Sequence, residues 1–177
     1  MLTEILLDSS PIYPLWGISM LIVALLIVPR KDIKYLLPYA FTGTLIISIV
    51  LIFSSKVIKA WTYLETEPYS VLGTPIFVLL AWGAAMTIFL WGIPGYLPVW
   101  THYLYIGMYG LGGVILDIVF HQLGLRPFAS WYRSWMWFFP VSLVFFILYK
   151  IYMTFADNND KNCLLIQDTA DPDRKSD

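Results

Sequence analysis

A polytopic all-α bundle of about five transmembrane helices is the fold this sequence predicts, and three observations carry the prediction. The chain is 59% apolar and only 13% charged, whereas soluble domains average about 45–50% and about 25%. Its mean hydropathy is +0.70. The apolar excess falls in blocks of roughly 18–21 residues, the length a helix needs to cross about 30 Å of hydrocarbon. Basic or proline-rich turns separate the blocks. A transmembrane β-barrel reads instead as short alternating segments, and no such alternation runs through these blocks.

The first span is expected over about 12–29. The preceding MLTEILLDSSP carries Glu4 and Asp8 but no Lys or Arg, so it lacks the positive flank of a cleavable signal and reads as an uncleaved anchor. A short basic turn, Arg30-Lys31-Asp32-Ile33-Lys34, leads to a second span over about 35–54, antiparallel to the first. Residues 54–73 are too polar to cross. Lys56, Lys59, Trp61, Glu65 and Glu67, mixed with Val57, Ile58 and Leu64, suit an interfacial segment. Thr74-Pro75 reads as a helix N-cap followed by proline at the first helical position, opening a third span over about 75–93. Ile93-Pro94-Gly95-Tyr96-Leu97-Pro98 cannot continue a helix and makes a tight turn. The fourth span, about 100–123, is closed by Gly124 as a left-handed cap. Residues 125–134 form a basic aromatic loop. The fifth span is expected over 135–153, with Pro140 as a kink supported by neighbouring helices. Together 1–155 form the membrane domain. The remaining 156–177 hold six acids against three bases and read as a disordered tail.

Five spans place the ends on opposite sides. Lys and Arg then divide into Arg30, Lys31, Lys34, Lys150, Lys161, Arg174 and Lys175 on one side and Lys56, Lys59, Arg126 and Arg133 on the other. That bias puts the N-terminus outside and the tail in the cytoplasm of a cell-membrane protein. Trp16, Trp61, Trp91, Trp100, Trp131 and Trp135 all fall at expected interfaces.

The fourth span holds the informative chemistry. Tyr103, Gly107, Gly110, Gly113, Asp117 and His121 follow at steps of four, three, three, four and four, which lie on one helical face. Gly107, Gly110 and Gly113 are close-packing positions, for a helix of this chain or for a second copy or membrane partner. They lead into Asp117, the only carboxylate inside a hydrophobic run. Because the N-terminus, 54–73 and 122–134 share one side, Glu65, Glu67, Asp117, His121, Arg126 and Arg133 can meet at one mouth of the bundle. Asp117 has two readings: a structural partner of His121 or Arg126, or a functional acid whose burial would tune it. His121 can stabilise the helix C-terminus or assist that acid. Glu65 and Glu67 are either solvated loop residues or further acids, and Arg126 and Arg133 either interface anchors or, with Tyr103, substrate contacts.

Other chemistries are disfavoured. His102 and His121 sit nineteen residues apart on one helix, about 28 Å, too far to ligate one haem. With Cys163 as the single cysteine and only two histidines, neither a metal nor any other cofactor is expected. A net charge of −1 argues against nucleic acid as a partner; the bilayer and a lipid-phase small molecule fit better.

The run GTPIFVLLAW at 73–82, preceded by Glu65 and Glu67, together with Leu116-Asp117 and the later WYRSWMWFFP, resembles integral membrane proteins of carotenoid biosynthesis, of the hydratase and lycopene cyclase type. The chain is equally similar to small multi-span proteins of bacterial membranes. The first resemblance implies cofactor-independent acid–base chemistry on a polyprenoid-like substrate, with Glu65, Glu67 and Asp117 as its acids; the residues themselves would add His121 as the group tuning the acid. The residues themselves favour a non-enzymatic membrane component with a polar cluster at one mouth. That enzyme is the alternative; a proton-coupled transporter ranks below both, since no relay and no repeat are visible.

Overall fold

Proline places the first helix boundary. Pro29 drives the residue before it out of the helical region, and Val28 is extended at φ −94° and ψ 123°. Helix α1 (Ile12–Ile27) therefore stops, and the amides of Asp32 and Ile33 bond back to the Pro29 carbonyl to begin α2 (Arg30–Ile52). The connection is thus shorter than the sequence implies: the basic residues are the first turn of α2 rather than a turn before it. The structure, a computed structural model, describes residues 11–64, 70–93 and 98–170, with side chains as far as 155. Glu4 and Asp8 lie outside the described residues.

Helix α2 ends in a π turn, Phe53–Val57, and the chain leaves it through Lys59, whose φ is 54°. A two-residue hairpin follows, β1 (Ser70–Val71) pairing antiparallel with β2 (Thr74–Pro75). Leu72 and Gly73, both at positive φ, form its turn, as a tight hairpin of this hand demands. Thr74 is therefore a strand residue and does not cap α3 (Ile76–Trp91), whose N-cap is Pro75. Helix α4 spans Val99–Gln122. A 3₁₀ turn, Ser134–Trp137, leads into α5, Phe138–Ala170. Pro140 lies in the first turn of α5, where no amide needs a helical partner, so the expected kink has no cause there. Beyond the expected span end, α5 runs on to Ala170, and 171–177 lie outside the described residues.

Among the described residues, three segments are long and apolar enough to cross a membrane: Arg30–Val57, Val99–Gln122 and Ser134–Phe155. Helices α1 and α3 are apolar but have 16 residues each, about 24 Å at 1.5 Å per residue. The packing order is α1 on α3, α3 on α2, α2 on α5, and α5 on α4. Gly17 lets α1 approach the backbone of Phe77, and Gly43 lets α2 meet Met86 of α3 and Leu148 of α5. The core is built from Ile47, Met86, Phe89, Val141, Phe145 and Leu148, all fully buried. Leu15, Leu26, Phe41, Ile49, Trp100 and Phe139 point outward, the inside-out polarity suited to lipid rather than water.

Candidate functional site at one mouth of the bundle

The site begins where α4 stops. Gly124 adopts φ +74°, its amide bonds to the His121 carbonyl, and the Leu125 amide bonds to the Phe120 carbonyl. This is a Schellman ending, the left-handed cap that glycine permits. The reversal brings 125–129 alongside 60–64. Leu64 N–H donates to Leu125 O at 3.0 Å, Thr62 N–H to Pro127 O at 3.3 Å, and Ala129 N–H to Ala60 O at 2.8 Å. The interfacial segment and the basic aromatic loop, expected only to share a side, are hydrogen-bonded into one short ladder across the mouth. The Tyr13 hydroxyl of α1 ties into it, 3.1 Å from both the Leu64 and Leu125 carbonyls.

Arg126 hangs from this ladder into the bundle. It is 3% exposed and Asp117 is 0% exposed, and their side chains form an ion pair through Nη1 and Oδ1. The Tyr132 hydroxyl donates to Asp117 Oδ2 at 3.1 Å. Aromatic rings surround the guanidinium: Cζ lies 3.7 Å from the centroid of Trp61, 5.1 Å from Tyr63 and 5.4 Å from Trp137. The ring faces attract the cation but do not accept its in-plane N–H groups. Among the described residues, Nε and Nη2 of Arg126 have no hydrogen-bond partner. Burial raises the Tyr132 phenol above its ordinary value, and the Asp117 charge adds to the rise. Burial likewise raises Tyr63, with Arg126 partly opposing. Both hydroxyls stay protonated through neutral pH.

A cavity of about 40 Å³ adjoins the pair. Arg126, Asp117, Tyr63 and Trp137 line its polar end, and Trp16, Met20, Val78, Trp82, Ala85 and Leu116 line the rest.

The expected cluster is only partly assembled. Asp117 and Arg126 meet. His121 does not join them: it is exposed, stacks on Phe128 with centroids 4.0 Å apart and planes at 8°, and pairs Nδ1 with the Arg126 carbonyl at 3.1 Å. A carbonyl only accepts, so Nδ1 carries the proton. Arg133 is also exposed and donates to the carbonyls of Ser130 and Tyr132, both at 3.0 Å. Tyr103 is 48% exposed at the far end of α4, against Phe146. Glu65 and Glu67 lie outside the described residues.

Helix rotation explains the separation. At about 100° per residue, Tyr103 and His121 share one angle, Gly107 lies about 40° to one side, and Gly110, Gly113 and Asp117 lie about 20–80° to the other. The buried face is His102, Ile106, Gly110, Gly113, Asp117 and Phe120, so Tyr103, Gly107 and His121 sit on its rim. Gly110 faces Phe138 and Ser142 of α5, and Gly113 faces Val141, while nothing lies within 4 Å of where a Cβ of Gly107 would sit.

Tyr132, Trp61, Tyr63 and Trp137 are members of the site that the sequence reading did not select. Trp61, assigned there to an interface belt, is 2% exposed beneath Arg126. Their only sequence signal was the aromatic density of 128–137 and 61–63. At the opposite mouth, His102 is buried and its Nδ1 lies 2.8 Å from the Tyr149 hydroxyl. No protein-family model, curated protein or solved structure matches the chain.

Proposed function

We propose that this chain is a non-enzymatic integral membrane component in which Asp117, Arg126 and Tyr132 lock one mouth of the bundle. The observation that carries this reading is the engagement of Asp117. Its Oδ1 is ion-paired with Arg126 and its Oδ2 accepts from the Tyr132 hydroxyl, and its exposure is 0%. A carboxylate so held serves to anchor the returning loop and is poorly placed to exchange protons with a substrate. His121, the group invoked to assist an acid, faces away from it.

All five helices cross the bilayer in this proposal, α1 and α3 as a short pair packed along each other. The N-terminus is outside and the tail cytoplasmic. The locked mouth with its paired segments 60–64 and 125–129 then faces the outer side.

A double-mutant cycle tests the lock. Removing one partner of a buried ion pair costs about 3–5 kcal/mol, whereas replacing both by apolar groups of similar volume is far less costly. Asp117→Leu and Arg126→Met are each expected to lower thermal stability sharply, and the double variant to recover much of the loss. Additive losses would sink the lock. Asp117→Asn with unchanged folding but a lost catalytic activity would replace it with the enzyme.

A further inference from the structure

Helices α1 and α2 are joined through Val28-Pro29, and each packs on α3. Between them, over α3, runs an open groove of about 570 Å³, inside the range of about 300–1,000 Å³ at which pockets take small molecules. Ala40, Gly83 and Ala84 help to make room for it, since they line it with little side-chain volume. Leu21, Leu25, Leu37, Phe41 and Leu80 also line it and are 43–63% exposed. The groove therefore opens outward, on a face that meets lipid in a membrane. Its chemistry is apolar. The two hydroxyls along it are already engaged, Thr44 donating to the Ala40 carbonyl at 2.8 Å and Thr87 to the Gly83 carbonyl at 2.9 Å. Such a lining suits a hydrocarbon chain.

Charge at one end identifies the head that goes with the chain. On α2 the lining begins at Ile33, one turn from the helix start at Arg30. At about 100° per residue, Arg30 and Lys34 lie within about 60° of both Leu37 and Phe41, so two cations stand at that end of the groove. Both are exposed, and among the described residues neither has an acidic partner. Asp32 does not supply one: it is turned about 160° from each and lines a separate pocket with Tyr35, Leu36 and Tyr152. Two unpaired cations at the end of an apolar groove complement an anionic head on an apolar tail. Basic side chains near a membrane surface attract anionic lipid, and an arginine can hold a phosphate through two parallel donors. Length agrees. From Ile33 to Thr44 the α2 side of the groove runs about 16 Å, about half of a hydrocarbon core of about 30 Å and so the depth of one leaflet's chain.

We propose that the groove between α1 and α2 holds an acyl chain of an anionic phospholipid, whose phosphate is bound by Arg30 and Lys34. The site rests on the membrane reading above but is independent of the lock at Asp117.

The test uses the full chain in phosphatidylcholine nanodiscs carrying a trace of photoactivatable phosphatidylglycerol or phosphatidylcholine, each with the same diazirine-bearing acyl chain. The phosphatidylglycerol probe is expected to label Leu25, Phe41 and Leu80 about tenfold more than the phosphatidylcholine probe. Arg30→Gln combined with Lys34→Gln should bring the two probes level without changing the melting temperature, because both side chains are exposed. Lys31→Gln, which removes a charge further round the helix, should keep most of the preference. Leu80→Trp narrows the groove and should lower labelling at Leu25 and Phe41 about tenfold. Equal labelling of these positions by the two probes in the unaltered chain would overturn the site. An equal loss in Lys31→Gln would do so too, since surface potential alone would then explain the preference, as would stronger displacement by oleate than by unlabelled phosphatidylglycerol. Outward positions off the groove, Leu15 and Ile49, report the membrane reading separately: they are labelled by either probe even when the site fails, and their protection from both would sink the membrane reading itself.

Discussion

Burying Asp117 is tolerable because two groups approach it from outside its own helix turn. An isolated carboxylate in an apolar interior carries a large desolvation cost; here Arg126 supplies charge and Tyr132 a charge-assisted hydrogen bond. Tyr132→Phe removes only the hydroxyl, and hydrogen bonds to charged groups contribute about 1.5–3 kcal/mol. The expected outcome is a loss of that size in denaturant or thermal unfolding. Its pH dependence has a definite sign. The folded-state phenol is raised above its ordinary value of 10.0, so the contribution is whole below that value and is lost as the pH climbs toward the folded-state value. The stability gap between wild type and Tyr132→Phe should be flat up to about pH 10 and close above it. A gap that changes near neutral pH would contradict this assignment.

Among the elements, α4 shows most clearly what a spacing can and cannot say. Gly110 lies against Phe138 and Ser142 of α5, and Gly113 against Val141. Gly107, assigned to the same stripe, lies on the rim with free space above it. Gly110→Val is therefore expected to destabilise by about 1–3 kcal/mol through overpacking against Phe138 and Ser142. Gly107→Ala should be neutral or stabilise by about 0.5–1 kcal/mol by restraining the unfolded backbone. Thermal unfolding of the two variants side by side checks this, and an equal loss at both would mean that a second chain covers Gly107. The glycine at the helix end follows a different logic. Gly124 needs its positive φ to turn the chain back, and without that reversal Arg126 does not reach Asp117.

For the whole molecule, the mouth is a small assembly in its own right. The ladder between 60–64 and 125–129 joins the segment after α2 to the segment after α4, and Tyr13 adds α1. The proposed five-span arrangement makes a direct prediction. Single cysteines placed in a Cys163→Ser background at Ser130 and at Ser176 should react with a membrane-impermeant thiol reagent from opposite sides of intact cells, Ser130 from outside. Labelling of both from the same side would mean that α5 does not cross, and Ser130 reacting from inside with Ser176 from outside would invert the chain or remove a crossing before Ser130, with α1 or α3 the first to reconsider because each is only 16 residues long.

The sequence by itself determined a mostly helical chain, the approximate positions of its helices and the presence of segments apolar enough to cross a membrane. Those properties depend on local composition and on proline and glycine at turns. It also pointed to Asp117 and Arg126 as members of one mouth. What only the tertiary structure decided was who touches whom. His121 is one turn from Asp117 along the helix yet turned about 40° away by its rotation, while Arg126 and Tyr132 reach the carboxylate through the loop that Gly124 reverses. Trp61 lies more than fifty residues earlier in the chain and is brought beneath the guanidinium by backbone pairing that leaves no periodic trace in the sequence. Spacing along a helix fixes an angle; the partner at that angle is set by the loop that returns to it.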